Sequence, residues 1–439
     1  MTDHTENRRL SSEMVWARLR PEIGAAEDRS LLLYVHIPYC TTKCLFCDWV
    51  KDIPAPRLRA GGSARGRYVE ALARQIRHHG PRIVESGYAP RLIYWGGGTP
   101  TRLDAEEIAA LAGALRETFD LKAVEEFTVE CSPETVTSEK LRTMAVEGVT
   151  RLSIGAQSFD DDELRRAGRA HSAAGIRDAV ACAYAAGFDD VNIDLIAAFP
   201  GQTLESLTAT VRQALALEPN HVTVYVYRAT EGTAMAEQVR KGHREANDYG
   251  LMLESYSAAR ELLQANDYHE YAIGYFARNT SRPCRADQYY FSIEGDYFGF
   301  GGGAHSIFGR HYFENEGGQQ DTFVNDPLGF SCCERFSERN LQRLFTSVTQ
   351  TLWIPDGLSF ERFERLYGLP FDAVAAHPQV RSFMGYYEMC GAKFERTETH
   401  LRVTPDTVAP AYIRALSLYG TQNEGRRRNR ETTLNIIRA

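Results

Sequence analysis

At 439 residues, with 43% hydrophobic and 25% charged, the chain has an ordinary globular composition and room for one large α/β domain plus a smaller one. A net charge of −8 argues against a nucleic-acid carrier, and no apolar run approaches the roughly 20 residues of a membrane helix, so neither nucleic acid nor membrane is expected as a partner. Nine cysteines, three of them clustered, and a polar first thirty residues without an apolar signal core point to the cytoplasm rather than to a disulfide framework.

In chain order, residues 1–30 read as an N-terminal extension with a helix around Ser12–Leu19. The β-branched run Leu31–Ile37 reads as a buried strand ended by Pro38. Cys40, Cys44 and Cys47 follow on a loop just past that strand's carboxyl end. Three thiolates this close can face one soft metal centre, and their spacing differs from the paired C-x2-C elements of zinc sites. With three ligands an iron–sulfur cube keeps one iron open to an outside ligand.

Ile53–Gly66 is rich in Pro, Arg and Gly and reads as a loop, and Tyr68–His78 as a helix. Strand-like runs then recur at Arg91–Trp95, Glu126–Cys131, Arg151–Gly155, Asp190–Ile196 and His221–Tyr227. Amphipathic stretches Ala105–Phe119, Ser138–Val146, Gly175–Ala186 and Leu204–Leu217 separate them. With the first strand this makes six βα units, which predicts an α/β fold, a partial (β/α)6 TIM-like barrel spanning 31–310 with its site at the carboxyl ends of the strands. Asn247–Asn266 reads as a further helix, and the glycine-rich Glu294–Phe308 as a segment returning to that edge. Residues 330–439 read as a small, mostly helical, winged-helix-like domain covering the substrate, with helices at Arg335–Leu352 and Ser359–Tyr367 and a helix-then-hairpin over Gly385–Met389 and Lys393–Thr404. The basic run Gly425–Arg430 reads as a solvated end.

Residues suited to ligands fall at successive strand ends. Gly96-Gly97-Gly98-Thr99-Pro100 exposes backbone to a ligand or makes a tight strand-to-helix turn. Glu130 ends the third strand as a carboxylate able to accept from ribose or ammonium, while Cys131 beside it reads as a small buried hydrophobe. Gln157 follows the fourth strand, Arg169 and His171 lie in the next turn, and Asp194 falls inside an apolar run where an acid must be paired. Tyr225, Tyr227 and Arg228 end the sixth strand.

Taken together, Tyr34-Val-His-Ile-Pro, C-T-T-K-C-L-F-C, W-G-G-G-T-P, V-E-C-S-P, R-L-S-I-G-A-Q-S-F, G-R-A-H and N-I-D-L-I resemble the HemN-like group of radical S-adenosylmethionine (SAM) proteins. That group includes the oxygen-independent coproporphyrinogen dehydrogenases, the HemW haem chaperones and the class C methyltransferases and cyclopropanases. The resemblance implies a [4Fe–4S] cluster on Cys40, Cys44 and Cys47, with one SAM on the open iron contacted by Tyr34, Gly97, Glu130 and His305. By the same resemblance a second SAM would meet Phe46, Gly98, Thr99, Gln157, Arg169, Asp194 and Arg228.

Two departures shape the expected activity. Trp49, after Asp48, stands where the dehydrogenases carry a further cysteine, and Ala286-Asp287 replaces the His-Asn pair of the chaperones and so removes their axial haem ligand. The expectation is therefore a class C radical SAM methyltransferase or cyclopropanase of natural-product biosynthesis. It would transfer a SAM-derived methylene to an sp2 carbon of a small-molecule or peptide-derived unsaturated or heteroaromatic substrate, fed by an electron donor such as flavodoxin or ferredoxin. Tyr227, His171 and His305 are the candidates for moving the proton. The rivals are a coproporphyrinogen-dehydrogenase-like oxidoreductase and a HemW-like haem-binding chaperone.

Overall fold

Hydrophobic alternation with helix-period runs between builds a parallel sheet, because each amphipathic helix must return its apolar stripe to the strand it just left. The computed structural model describes residues 9–23, 29–47, 62–245, 248–317, 320–337 and 350–425. Asp48, Trp49, most of the Ile53–Gly66 loop, most of the Arg335–Leu352 helix and the basic run after Gly425 lie outside the described residues.

Helix α1 (Ser12–Ile23) precedes β1 (Ser30–Ile37). The following helix α2 runs over Gly62–Glu85, much longer than expected and starting inside the predicted loop, because Tyr68, Leu72 and Ile76 bury one continuous stripe against the sheet. Then come β2 (Ala89–Gly97), α3 (Ala105–Thr118), β3 (Glu126–Cys131), α4 (Ser138–Val146) and β4 (Arg151–Gln157). They are followed by α5 (Asp161–Arg166), α6 (Ala173–Ala185), β5 (Val191–Ala197), α7 (Leu204–Leu215) and β6 (His221–Val226). Strands β1 to β6 are parallel neighbours in sequence order, the six-unit barrel the sequence predicts. Start signals are local: the Asp104 side chain accepts from Glu107 N at 3.0 Å and Glu107 Oε2 accepts from Asp104 N at 2.9 Å, a capping box at the head of α3.

Alternation divides the strands between two faces. Leu31, Leu33, Val35, Ile37, Ile93 and Trp95 belong to the core under the helices. Their neighbours Leu32, Tyr34, Leu92 and Tyr94 belong to a separate cluster on the other face. That second face, the barrel interior, turns polar along β3 to β6 through Glu130, Ser153, Asn192, Asp194 and Thr223.

After α8 (Ala234–Arg240) and α9 (Tyr249–Gln264), the chain departs from the expected pattern. Strands β7 (Tyr268–Ala272) and β8 (Tyr275–Arg278) form a hairpin added antiparallel to β6. Helix α10 (Arg285–Phe291) leads to β9 (Asp296–Phe300), which pairs parallel to β1 on its free edge. Strands β10 (His305–Phe308) and β11 (His311–Asn315), the short α11 (Gln320–Asn325) and β12 (Phe330–Arg335) complete a sheet of order β12-β11-β10-β9-β1-β2-β3-β4-β5-β6-β8-β7. The cysteine-bearing β1 is thus interior to the sheet, and Glu294–Phe308 is mostly strand and turn.

The C-terminal part has β13 (Leu358–Ser359), α12 (Phe360–Tyr367), α13 (Phe371–Ala375), α14 (Pro378–Met389), the hairpin β14 (Phe394–Arg396) and β15 (His400–Val403), and α15 (Pro405–Gly425). The three strands form a sheet of order β13-β15-β14, the helix-then-hairpin arrangement expected, with α14 starting earlier at Pro378. Helix α15 returns to the barrel: Ile413 shares a core with Met252 and Tyr256 of α9. Among the described residues no helix is long and apolar enough to cross a membrane.

Candidate functional site

The loop after β1 is pinned by segments that follow three other strands. Leu45 N donates to Ala167 O at 2.9 Å, Thr42 Oγ1 to Gly168 O at 3.1 Å, and Met235 N to Leu45 O at 2.8 Å. Gly98 N donates to Ile37 O at 2.8 Å. Gly97 has φ +106°, and a Cβ there would stand 2.4 Å from the His36 ring, so the main chain passes where no side chain fits.

Donors reach the half-buried thiols of Cys40 and Cys44. Thr99 Oγ1 lies 3.7 Å from Cys40 Sγ, and Arg169 Nη1 lies 3.1 Å from Cys44 Sγ. Burial pushes the free Cys40 thiol up to about 12, a cost that a bound cation offsets by holding the thiolate. Among the described residues no three His, Cys, Asp or Glu side chains converge on a single ion. Three soft thiolates spread along one loop, with donors aimed at sulfur, fit a cube in which each thiolate takes its own iron.

Beside the loop, Glu130 accepts from Tyr94 Oη at 2.9 Å and from Gly97 N at 3.2 Å. Burial lifts Glu130 to about 7, with the Asp194 charge adding to the lift and the Tyr94 and Gly97 donors opposing it. Tyr34 Oη is 3.1 Å from His36 Nδ1. Burial holds both His36 and His305 down at about 4, so both rings are neutral near pH 7. The Tyr34 ring packs on Tyr94 and Tyr297, and His305 lies between Tyr297 and Tyr312 at 5.3 and 5.7 Å. Tyr34, Gly97, Glu130 and His305 therefore belong to one neighbourhood.

The remaining candidates are engaged inside the protein. Asp194 accepts from Asn192 Nδ2 at 2.8 Å and Ser153 Oγ at 3.1 Å, the pairing an acid in an apolar run requires, and burial raises its pKa. Gln157 ends β4 at a bulge with φ +70°. Arg169 Nη2 donates to Ser132 Oγ at 2.9 Å and Gly155 O at 2.8 Å. Phe46 packs on Phe199 at 5.4 Å, and Phe199 on Tyr227 at 6.0 Å, in an apolar nest with Ile196 and Met235. The Tyr227 hydroxyl is buried there without a hydrogen-bond partner. His171 has both ring nitrogens against acceptors, Glu134 Oε2 at 3.2 Å and Ala156 O at 3.1 Å, so its geometry is that of a structural bridge. Arg228 is exposed and donates to Thr230 Oγ1 at 3.3 Å.

Several residues enter the site beyond the expected contacts, Ser132 from within the quoted V-E-C-S-P and the others from outside any motif. Ser132 and Glu134 link Arg169 to His171. Tyr94 reaches Glu130 because the pleat faces it inward, and Tyr271, Tyr275, Tyr290 and Tyr297 come from the added strands and α10. The inward-facing alternate positions of β2 were a readable signal for Tyr94; the others depend on pairings remote in sequence.

At the opposite end of the barrel, α10 closes the opening. Glu126 accepts from Arg285 N at 2.8 Å, Ala286 N at 3.1 Å and Cys284 Sγ at 3.2 Å, which caps the helix. Tyr289 Oη donates to Ser30 O at 2.9 Å and Asp296 O at 3.0 Å, at the starts of β1 and β9. Ala286, where the resemblance would place a chaperone's haem ligand, is buried against Leu32, Leu92 and Tyr289.

Comparison with known proteins agrees with this geometry. Residues 34–214 match the Radical SAM superfamily. The haem chaperone HemW of Haemophilus influenzae is 32% identical over 78% of this chain and 88% of its own length. The Bacillus subtilis haem chaperone HemW is 28% identical with the same coverage of both chains. The Escherichia coli coproporphyrinogen III oxidase HemN, described as a radical SAM enzyme, superposes with a TM-score of 0.73 over 94% of this chain and 95% of its own, at 24% identity, a likeness of fold.

These relatives overturn the expected methyltransferase or cyclopropanase, its natural-product substrate and its place in natural-product biosynthesis. The physical reason is that the quoted motifs carry residue types suited to a cluster and its cofactor, which the whole group shares, and so do not choose between acceptors. A missing cysteine at 49 or histidine at 286 tells what has been removed and not what replaces it. Radical SAM membership implies a [4Fe–4S] cluster and SAM, and the chain belongs to the HemW/HemN group of radical SAM proteins.

Proposed function

We propose that the protein binds haem, as the proteins it resembles are named for, with a [4Fe–4S] cluster on Cys40, Cys44 and Cys47 and SAM at the adjoining rim. The observation that carries this reading is the similarity to haem chaperones, which extends well beyond the radical SAM region itself. When bound, the cluster and SAM supply one-electron chemistry. The residues assigned to SAM on this reading are Tyr34, Gly97 and Glu130, with Gly97 and Gly98 giving close access to backbone. The second SAM expected from the resemblance would rest on Arg169 and Asp194, both already engaged within the protein.

A partly exposed aromatic cluster is available to a flat macrocycle. Tyr225 is 45% exposed and meets Tyr275 edge to face at 6.0 Å; Tyr275 meets Tyr271 at 6.1 Å and the buried Phe291 at 5.0 Å. Rings inclined in this way meet a conjugated ring by a face or an edge, for about 1 kcal/mol each beyond area burial. With Ala286 buried, the macrocycle is held through its faces rather than by an imidazole at that position. Haem titrated into cluster-free protein is expected to give a saturable one-to-one difference spectrum, and the Tyr225→Ala/Tyr275→Ala pair to weaken it about tenfold or more. Absence of saturable haem uptake by the folded wild-type protein would remove the reading.

Glu130 sets a pH dependence for SAM. A carboxyl lifted to about 7 carries its charge only above that pH, and its contribution to stability, present at acid pH, is lost as pH rises through 7. Binding of the SAM ammonium at Glu130 is expected to tighten as pH rises through 7, and Glu130→Gln to flatten that dependence, as read by equilibrium dialysis on either side of neutrality.

A further inference from the structure

The half-buried Arg169 guanidinium is aimed at a cysteine sulfur and held there from behind. One nitrogen, Nη1, lies 3.1 Å from Cys44 Sγ. The other, Nη2, is held by Ser132 Oγ at 2.9 Å and Gly155 O at 2.8 Å. Ser132 Oγ in turn donates to Glu134 Oε2 at 2.5 Å, and Glu134 meets His171 Nδ1 at 3.2 Å. Burial alone would raise Glu134, yet the His171 and Ser132 hydrogen bonds and the Arg169 charge draw it down to about 2, so the chain behind the arginine is anionic. With Nη2 on a carbonyl and a hydroxyl, and that hydroxyl donating to an anionic carboxylate, the guanidinium is oriented with Nη1 toward sulfur.

We propose that Arg169 is a positioning residue for the cluster: it donates to the Cys44 thiolate and favours the reduced cluster. This rests on the cluster assignment to Cys40, Cys44 and Cys47. The reduced cluster carries one more negative charge than the oxidised, so a cationic donor on a ligating sulfur raises the potential. The resemblance by itself implies the other assignment, with Arg169 on the methionine carboxylate of a second cofactor. Three N–H groups of the guanidinium are committed in this way, and Nε has no hydrogen-bond partner among the described residues.

The test uses reconstituted full-length protein with two readouts, the cluster midpoint potential from an electron paramagnetic resonance titration and the SAM stoichiometry from equilibrium dialysis. Arg169→Met is expected to shift the potential negative and alter the reduced-cluster signal, with SAM stoichiometry unchanged and Arg169→Lys intermediate. An unshifted potential together with loss of one of two bound SAM molecules would overturn the proposal. Should Arg169→Met fail to assemble a cluster, Ser132→Ala decides, since it loosens the guanidinium and leaves every cysteine in place: a negative shift supports the proposal and an unchanged potential overturns it. Failure of the cluster assignment shows separately, as wild-type protein that takes up no iron.

Discussion

Gly98→Ala is expected to cost the protein its iron–sulfur chromophore. A Cβ at position 98 would lie 2.7 Å from Tyr39 O, 2.8 Å from Ile37 O and 2.8 Å from Tyr39 N. All three are backbone atoms of the segment that leads directly into Cys40, so none can rotate aside as a side-chain tip would. Relief requires the loop to move away from β2, which also breaks the Gly98 N to Ile37 O hydrogen bond. Overpacking of this kind costs about 1–3 kcal/mol, which a chain of this size survives, but a displaced Cys40 no longer meets its iron. Absorbance in the visible and iron content after anaerobic reconstitution read the outcome, with full iron loading as the result that sinks it. Gly385→Ala is the matched control. That glycine sits inside α14 with nothing within 4 Å of its added Cβ, so the change is expected to keep the cluster and to stabilise the helix by about 0.5–1 kcal/mol.

Arg151→Met should be the most destabilising single change in the barrel. Arg151 is only 2% exposed and sits at the closed end among acids: Asp190 Oδ1 is 3.6 Å from its Nε, and Glu126 and Asp287 act on it through their charges. The same acids hold other groups in place, Glu126 the head of α10 and Asp190 the His221 ring at 3.2 Å. Methionine fills the volume and leaves the carboxylates without their cation, a loss of about 3–5 kcal/mol. A fall in the urea midpoint with unchanged slope measures it. The sign with pH follows from Asp287, which burial lifts to about 6 against the pull of Arg151. Without the arginine Asp287 rises further and is neutral over more of the range, so the gap between variant and wild type is expected to narrow as pH falls from about 8 to about 5. A gap independent of pH would mean that packing, and not charge, is what Arg151 supplies.

The legibility of this protein follows the range of the interactions. Strand β3 and helix α4 have the bounds expected from periodicity, because their apolar positions and the α4 cap Thr137 are local signals, and Asp104 likewise starts α3 at the expected Ala105. Strands β7 to β12 escaped, since each is 4 to 6 residues long and pairs through partners chosen by the whole sheet. In the site, Cys40, Cys44, Cys47 and Glu130 were readable from position after a strand. Arg169 was visible as a residue but its direction was not, because Ser132 and Gly155 turn it toward sulfur. Arg151 was invisible as a site of stability for the same reason: Glu126, Asp190 and Cys284 reach it from three other segments. The activity is not legible in this way, because a residue absent at 49 or 286 does not specify which branch of the group the chain follows.

The seal that α10 makes across the starts of β1, β2, β3 and β9 bears on the other ends of those strands. Glu126 and Tyr289 tie the helix to the starts of β3, β1 and β9, so it acts as a spacer for the floor of the barrel. The strands then reach the cysteine rim with their relative positions already set at the far end, and a single short helix gauges the width of that rim.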